Sequence, residues 1–411
     1  MDKQKIKVAI GMSGGVDSSV SALLLKEQAL RLSRSGSLSY EVIGLFMKLW
    51  HDPTCDISRE NACCDERALA DAQKVASKIG IPLYVVDARK QFKESVTDYF
   101  INEYKNLRTP NPCVVCNKMI KFGWLLDFAR KIDCEYLATG HYSRIVKSLE
   151  YGVQRKDSKR STLNPKQSFR LLKGKDESRD QSYFLHQLDQ AQLAKILFPV
   201  GGMVKSEVRE IAKKAKLPVF EKIESREICF VPDDYRSFLR RYIGEEYFEP
   251  GKIVDQDGFT VGRHDGLINY TIGQRKGISQ DLGLRTGDLG KKALYVLGFD
   301  KGKNQLIVGE EKDLNKKEFE VKDMHWVDPE NESRIMNNEL RDITVKIRYK
   351  AEEVSCKLYP SSQGEKSKSS HPVGPNNKLT ILLEQPVRAI APGQSAVFYQ
   401  GDEVLGGGII A

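Results

Sequence analysis

The chain has 411 residues and a formal net charge of +9, from 65 Lys and Arg against 56 Asp and Glu. That length predicts two or three domains, each able to bury its own core, and the basic balance suits either a polyanionic partner or a merely solvated surface. No apolar run approaches the roughly 18 residues of a membrane span, and the opening Met-Asp-Lys-Gln-Lys has no signal-like apolar region, so the expected location is the cytoplasm with no membrane contact.

In chain order, residues 5–11 alternate and are β-branched, while Val20, Leu23, Leu24 and Leu25 recur at helical spacing. The spacing predicts a strand, a glycine turn and a helix. The turn is Gly11-Met12-Ser13-Gly14-Gly15-Val16-Asp17-Ser18-Ser19. Its main-chain N–H groups can close around an anion, because Gly14 and Gly15 put no side chain in the way and the helix start adds a favourable dipole. A nucleotide phosphate is the expected guest; for a bare glycine pair, an ordinary strand-to-helix turn is the alternative. The string has neither the Gly-Lys-Ser/Thr of a Walker loop nor the Gly-x-Gly-x-x-Gly of dinucleotide binders.

Residues 31–39 read as an exposed loop and 41–49 as a second buried strand, followed by a polar, cysteine-bearing stretch to residue 64. Leu69, Ala72, Val75, Ala76 and Ile79 form a helical stripe closed by Gly80, and residues 81–86 return as a strand. This alternation predicts an α/β fold with a doubly wound parallel sheet, whose ligands bind at the carboxyl ends of the strands. Met47 falls at such an end, although an isolated methionine reads as core.

Helical spacing over residues 91–107 stops at Thr109-Pro110-Asn111-Pro112, where the prolines forbid continuation. Cys113-Val114-Val115-Cys116-Asn117-Lys118 follows, then a helix over 120–132 and a strand over 136–139. Near a helix start, the dipole and Lys118 are expected to lower the Cys116 thiol from its ordinary value of about 8.5. The eight cysteines (55, 63, 64, 113, 116, 134, 229 and 356) are scattered, which in a reducing compartment argues for free, catalytic or metal-bound thiols. The Cys-x-x-Cys pair suits catalysis or cluster binding. A zinc knuckle would need a second such pair, which is absent, and two buried thiols are the plainer alternative. His141, in Gly140-His141-Tyr142, is a site candidate by its place after the fourth strand, though a lone histidine is often structural.

Residues 148–168 are polar and basic and read as a flexible insertion. Arg179-Asp180-Gln181-Ser182-Tyr183-Phe184-Leu185 opens an apolar segment, and Ser206 is the expected cap of a basic helix carrying Val208, Ile211, Ala212 and Ala215. Cys229 stands between apolar neighbours and on its own reads as core. From Gly251 onward, short alternating runs at 252–254, 260–262, 294–297, 305–308, 319–321, 343–349, 354–358, 379–383 and 396–399 predict all-β modules. The expected domains are 1–235 (α/β, nucleotide-binding), 236–304 (small and β-rich) and 305–411 (a β-barrel). Residues 361–377 read as a mobile loop. Arg275-Lys276 and Arg348-Tyr349-Lys350 suit RNA backbone and base stacking, or plain surface charge.

Ser13-Gly14-Gly15-Val16-Asp17-Ser18 resembles the PP-loop of the ATP pyrophosphatases, which cleave ATP to AMP and pyrophosphate. Further strings are similar to one tRNA-thiolating branch of that family, the 2-thiouridylases: Phe46-Met47-Lys48, Thr109-Pro110-Asn111-Pro112, Cys116-Asn117-Lys118, Ala138-Thr139-Gly140-His141-Tyr142, Asp180-Gln181-Ser182-Tyr183-Phe184, Ile228-Cys229-Phe230, Thr271-Ile272-Gly273-Gln274-Arg275-Lys276-Gly277 and Pro392-Gly393-Gln394-Ser395. The resemblance implies 2-thiolation of the wobble uridine in the tRNAs for Lys, Glu and Gln, by ATP-dependent adenylation of the C2 oxygen and then sulfur transfer. ATP and Mg2+ would be the cofactors, and a cysteine desulfurase or sulfur-relay protein the donor.

By the same resemblance, Gly11, Met12, Ser13, Gly14, Gly15, Val16, Asp17 and Ser18 hold the pyrophosphate, with Asp17 helping to place magnesium. Met47 packs on adenine and Gly140 touches ATP. Asn111, Pro112, His141, Arg179, Asp180, Gln181, Arg348, Tyr349 and Gln394 touch the target base or nearby tRNA. Cys229 carries a persulfide; Cys116 attacks, releases the sulfur and closes a disulfide. Two departures stand out. Cys113, facing the substrate, replaces an Asp common among relatives, which makes an iron–sulfur cluster on Cys113, Cys116 and Cys229 the alternative to a persulfide relay. Arg179 stands where Lys is usual. A different PP-loop ligase, or a redox-responsive RNA-binding protein, are the rival readings.

Overall fold

The structure, a computed structural model, describes residues 5–34, 39–50, 66–150, 166–222, 228–231, 234–278, 293–361 and 378–411. Cys55, Cys63 and Cys64, the centre of the basic stretch at 151–165 and nearly all of the loop expected at 361–377 lie outside these residues.

The N-terminal region runs through β1 (Lys5–Gly11), α1 (Val16–Arg34), β2 (Ser39–Lys48), α2 (Glu66–Ile79), β3 (Leu83–Asp87), β4 (Tyr136–Ala138), β5 (Ser143–Glu150), β6 (Lys166–Lys173) and β7 (Ile196–Leu197). Five of these strands form a parallel sheet in the order β3-β2-β1-β4-β7, the doubly wound arrangement that the sequence predicts. The period of two sorts its faces. Val8, Ile10, Val42 and Phe46 pack under α1 and α2 against Val20, Ala72, Val75 and Ala76. Ala9, Ile43, Leu45 and Leu137 pack on the other side against Phe122, Leu125, Leu126 and Ala129.

Between β3 and β4 the chain makes two helical passages, each with a π-helical segment: Lys93–Thr97 in the first and Cys116–Trp124 in the second. The break between them falls at residues 106–111, where the prolines require it. The insertion expected at 148–168 is in part a hairpin. β5 and β6 pair antiparallel from Ser143↔Lys173 to Glu150↔Lys166, with Ile145, Phe169 and Leu171 facing the core. Its polar alternation is that of a strand with one wet face rather than of a loop.

The central region is a sheet of β8 (Gly251–Val254), β9 (Thr260–His264), β10 (Tyr295–Asp300) and β11 (Gln305–Gly309), in the order β10-β11-β8-β9. The last region comprises β12 (Asn315–Trp326), β13 (Ile343–Lys346), β14 (Val354–Pro360), β15 (Leu379–Arg388), β16 (Ser395–Gln400) and β17 (Glu403–Ile410). Their order, β12-β15-β14-β13-β16-β17, closes into a barrel through β12–β17 pairing. β6 adds to β17 at Glu403↔Leu172, so hairpin and barrel share one sheet. None of the described helices is long and apolar enough to cross a membrane.

No alternating run marks β17, because Gly406, Gly407 and Gly408 occupy its centre. Close approach explains them: a Cβ on Gly407 would lie 2.5 Å from Ala396 O and 2.7 Å from the His186 ring, and one on Gly408 2.6 Å from Lys322 O. Gly407→Ala is therefore expected to destabilise the protein by about 1–3 kcal/mol through overpacking at the junction of barrel and catalytic region, read as a lower chemical-denaturation midpoint. An unchanged midpoint would mean that the junction yields freely.

Candidate active site

The glycine turn leaves β1 at the carboxyl edge of the sheet and is tied to it by Met12 N donating to Leu45 O at 2.8 Å. Gly14 has φ +70°, and a Cβ there would sit 2.3 Å from Ala68 O, so only glycine fits. Ser13 N donates to Ser18 Oγ at 3.2 Å, and the Ser18 and Ser19 hydroxyls donate to Gly15 O at 3.1 and 2.7 Å. These bonds hold the loop curled over the start of α1. Gly140 presses on it from β4: a Cβ there would meet Ser18 N at 2.7 Å. Met47 is partly buried at the end of β2 between two core clusters.

Asp17, which the resemblance assigns to magnesium, is already engaged. The buried Lys205 donates from Nζ to both of its carboxylate oxygens, at 2.7 and 2.9 Å, and Tyr142 OH donates to Oδ1 at 2.7 Å. Lys205 is the first residue of the helix Lys205–Lys214, whose N-cap is Val204 rather than Ser206; Glu207 accepts from Val204 N at 2.9 Å. A second lysine, Lys222, donates to Gly14 O at 3.2 Å and to Asp71 Oδ2 at 2.7 Å. Two ammonium groups thus flank the loop, a favourable field for phosphates.

The thiols lie at the other side of Gly140-His141-Tyr142. Asn111 caps the short helix Pro112–Val115, with Oδ1 accepting from Val114 N at 3.4 Å and Pro112 at the first helical position. Cys113 follows, exposed; Cys116, one turn on, is buried and opens the π-helical segment. Cys229 comes from far along the chain and is exposed, whereas its neighbour Phe230 is buried edge-on among Phe92, Phe100 and Phe238 at 5.3–5.6 Å between ring centroids. Charge on Cys229 acts on both Cys113 and Cys116, so all three sulfurs lie within electrostatic reach of one another.

The thiols are not activated as the sequence predicts. Desolvation pushes Cys116 up to about 12 and Cys113 to about 11, and the Cys229 charge adds to both. Cys116 lies beyond the short helix that Asn111 caps, so little of the N-terminal dipole reaches it. Lys118 points away, its Nζ donating to Gln187 Oε1 at 2.8 Å. The cation that does favour the thiolates is Lys121, five residues after Cys116, the i→i+5 step of a π-helix that puts both on one face. Lys121 Nζ also lies 3.5 Å from Nε2 of the buried His141, whose Nδ1 is 2.7 Å from Thr139 Oγ1. Burial, then the Lys121 charge, holds His141 well below the usual imidazole range, so it is neutral, with Nε2 facing the ammonium and Nδ1–H donating to Thr139.

The residues assigned to tRNA gather beside Cys113. Tyr349 packs on Phe184 with ring centroids 4.4 Å apart and planes tilted by 39°, and feels the charge of Asp180, Arg179 and Cys113; Arg348 is exposed next to it. Asn111 hydrogen-bonds Tyr183, whose OH donates to Ser395 O at 2.8 Å. Others are spent within the protein. Asp180 accepts from Gly174 N, Ser182 N and Ser182 Oγ at 2.8–3.1 Å, and Gln181 Oε1 accepts from Tyr142 N at 2.9 Å. Gln394 Nε2 donates to Thr109 O and Pro110 O at 3.0 and 3.1 Å.

Family models match the whole layout: one described as a tRNA methyl transferase HUP domain over residues 6–233, its PRC-barrel domain over 236–310, and an aminomethyltransferase beta-barrel domain over 316–410. A tRNA-specific 2-thiouridylase of Caldanaerobacter subterraneus subsp. tengcongensis is 42% identical over 98% of this chain and 97% of its own. One from Clostridium acetobutylicum is 40% identical over 98% of this chain and 99% of its own. The chain belongs to the tRNA-specific 2-thiouridylase family.

Three residues of this 2-thiouridylase-family site carry no motif and escaped the sequence: Lys121, Lys205 and Lys222. Only the five-residue spacing from Cys116 hinted at Lys121, and it has meaning only once the helix is π. The buried state of Cys116 makes one expectation sharp. At pH 7.5, iodoacetamide should modify Cys229 at least about tenfold faster than Cys116 in the resting protein, as peptide mass spectrometry would follow. Equal rates would show that burial does not suppress the Cys116 thiolate.

Proposed function

We propose that the protein catalyses ATP-dependent 2-thiolation of the wobble uridine of tRNA, in the cytoplasm, using a persulfide delivered by a sulfur-donor protein. The observation that supports this reading is that Cys229, distant in sequence, lies within electrostatic reach of Cys116, whose companion Lys121 faces His141, next to the Gly140 that packs on the phosphate loop. Neither methyl transfer nor ligation of a small acid has use for such a pair.

Uridine's C2 oxygen is a poor leaving group, so it first attacks the α-phosphorus of ATP and pyrophosphate departs into the loop of Gly11 to Ser18, where Lys205 and Lys222 offset its charge. Magnesium, when bound, would supply further charge neutralisation for the phosphates. Asp17 would hold it in exchange for Lys205, the ammonium now in the place of a cation. Stacking on Tyr349 and Phe184 and charge from Arg179 and Arg348 suit the target base and its phosphates. The terminal sulfur of a Cys229 persulfide then attacks C2 and AMP leaves. Cys116 thiolate, stabilised by Lys121, attacks Cys229 Sγ; the S–S bond breaks, its electron pair stays with the sulfur on C2, and a Cys116–Cys229 disulfide remains. Burial keeps Cys116 a thiol until that step.

A cluster on Cys113, Cys116 and Cys229 has less support: among the described residues no three His, Cys, Asp or Glu side chains converge on a point able to hold a metal. The deciding experiment incubates the protein with tRNA, ATP and a persulfide donor, then measures 2-thiouridine by mass spectrometry and pyrophosphate release. Thiouridine with tRNA-dependent pyrophosphate is expected; pyrophosphate released only with a small acid would refute the assignment. Cys116→Ala and Cys229→Ala should each cut thiolation roughly 1000-fold or more while tRNA-dependent pyrophosphate release persists. Lys205→Ala should instead cut pyrophosphate release by about 100-fold or more, since the lost charge faces the leaving group; a loss below tenfold would remove Lys205 from this role.

A further inference from the structure

We infer that Cys113 is a recycling thiol, which opens the Cys116–Cys229 disulfide left by each cycle and moves it to a Cys113–Cys116 pair that an external dithiol can reduce. The inference rests on the persulfide relay proposed above and adds the step that returns the enzyme to its starting state.

The geometry favours this order of exchange. Cys113 and Cys116 are three residues apart on a capped helix, with Cys116 N bonded back to the carbonyls of Pro112 and Cys113. Helical geometry sets their Cα atoms about 5 Å apart, within the roughly 4.4–6.8 Å that a disulfide spans. Cys116 is buried and out of reach of an outside reductant, whereas Cys113 is exposed. An outside thiol must find the exposed Cys229 in a bimolecular encounter, whereas Cys113 is held three residues from Cys116 on the same helix, so exchange within the pair comes first. Attack by Cys113 on Cys116 expels Cys229, whose sulfur leaves into solvent. Burial and the Cys229 charge hold Cys113 as a thiol at rest, and Lys121 offsets them in part when it ionises to attack.

The electrons balance at each step. Cys113 thiolate bonds to Cys116 Sγ, the Cys116–Cys229 bond breaks, and Cys229 departs with the pair as a thiolate, ready to accept a new persulfide sulfur. A dithiol of the thioredoxin class then attacks Cys113 Sγ, Cys116 leaves as thiolate and takes a proton, and the dithiol ends as a disulfide. The Cys-x-x-Cys spacing is the one such redox pairs use.

The test maps disulfides by non-reducing peptide mass spectrometry after thiolation of tRNA with limiting reductant, in the wild-type protein and in Cys113→Ser. The wild-type protein is expected to accumulate the Cys113–Cys116 link and Cys113→Ser the Cys116–Cys229 link. In the variant, the ratio of steady-state rate to first-turnover rate should fall at least about tenfold. Accumulation of Cys116–Cys229 alone in the wild-type protein, or an unchanged ratio in the variant, overturns the inference and leaves the relay standing. Thiolation without either link overturns the relay and the inference together.

Discussion

The site depends on one aromatic anchor. Phe230 is almost fully buried against Phe92, Phe100 and Phe238, with edge-to-face contacts each worth about 0.5–1.5 kcal/mol beyond the burial itself. The segment that carries it is otherwise short of regular structure: residues 228–231 form only a turn, with Val231 N bonded to Ile228 O at 3.0 Å. What fixes the position of Cys229 is therefore the burial of its neighbours Phe230 and Val231, while its own sulfur is left exposed. The same cluster includes Val96 from the first π-helical segment and Cys116 and Ile120 from the second, so the packing that holds one thiol also holds the other.

A second constraint comes from the barrel, which is more than a platform appended to a catalytic domain. Thr109 N bonds Pro392 O at 2.8 Å, Gln394 holds the Thr109 and Pro110 carbonyls, and Gly393, at φ +92°, lets the two loops meet: a Cβ there would lie 2.9 Å from Thr109 O. The proline-bounded loop before Cys113 has few backbone partners of its own, and the barrel supplies them. Tyr183 binding Ser395 and β6 adding to β17 extend the seam. A movement of the barrel can thus reach the thiol helix through the backbone of residues 109–110.

How much of this was legible in the sequence follows from the range of the interactions. The glycine loop, the parallel sheet and the β-rich remainder are local patterns of spacing, and they were readable. So was the helix break before Cys113; the helix start at Asn111-Pro112 was not, the next helix being expected only from residue 120. The β5–β6 hairpin and β17 were not: one has a polar face that imitates a loop, and the other is glycine-rich because His186 and neighbouring strand carbonyls press on it. Thiol chemistry was misjudged for a related reason. Helix position and Lys118 are visible in sequence and argue for acidity, but desolvation at Cys116 is a property of the assembled core and outweighs them.

Charge placement ties the two halves of the site together. Lys205 and Lys222 stand at the phosphate loop and Lys121 at the thiols, with neutral His141 between. A protonated histidine here would put a second cation against Lys121, and burial prevents it. In the proposed reaction each cation faces a place where negative charge would develop: pyrophosphate at one end and thiolate at the other. The Asp17–Lys205 pair keeps the loop's own carboxylate neutralised. In a partly buried site this matters, because an unpaired carboxylate beside the loop would repel the anion that the glycines are shaped to receive.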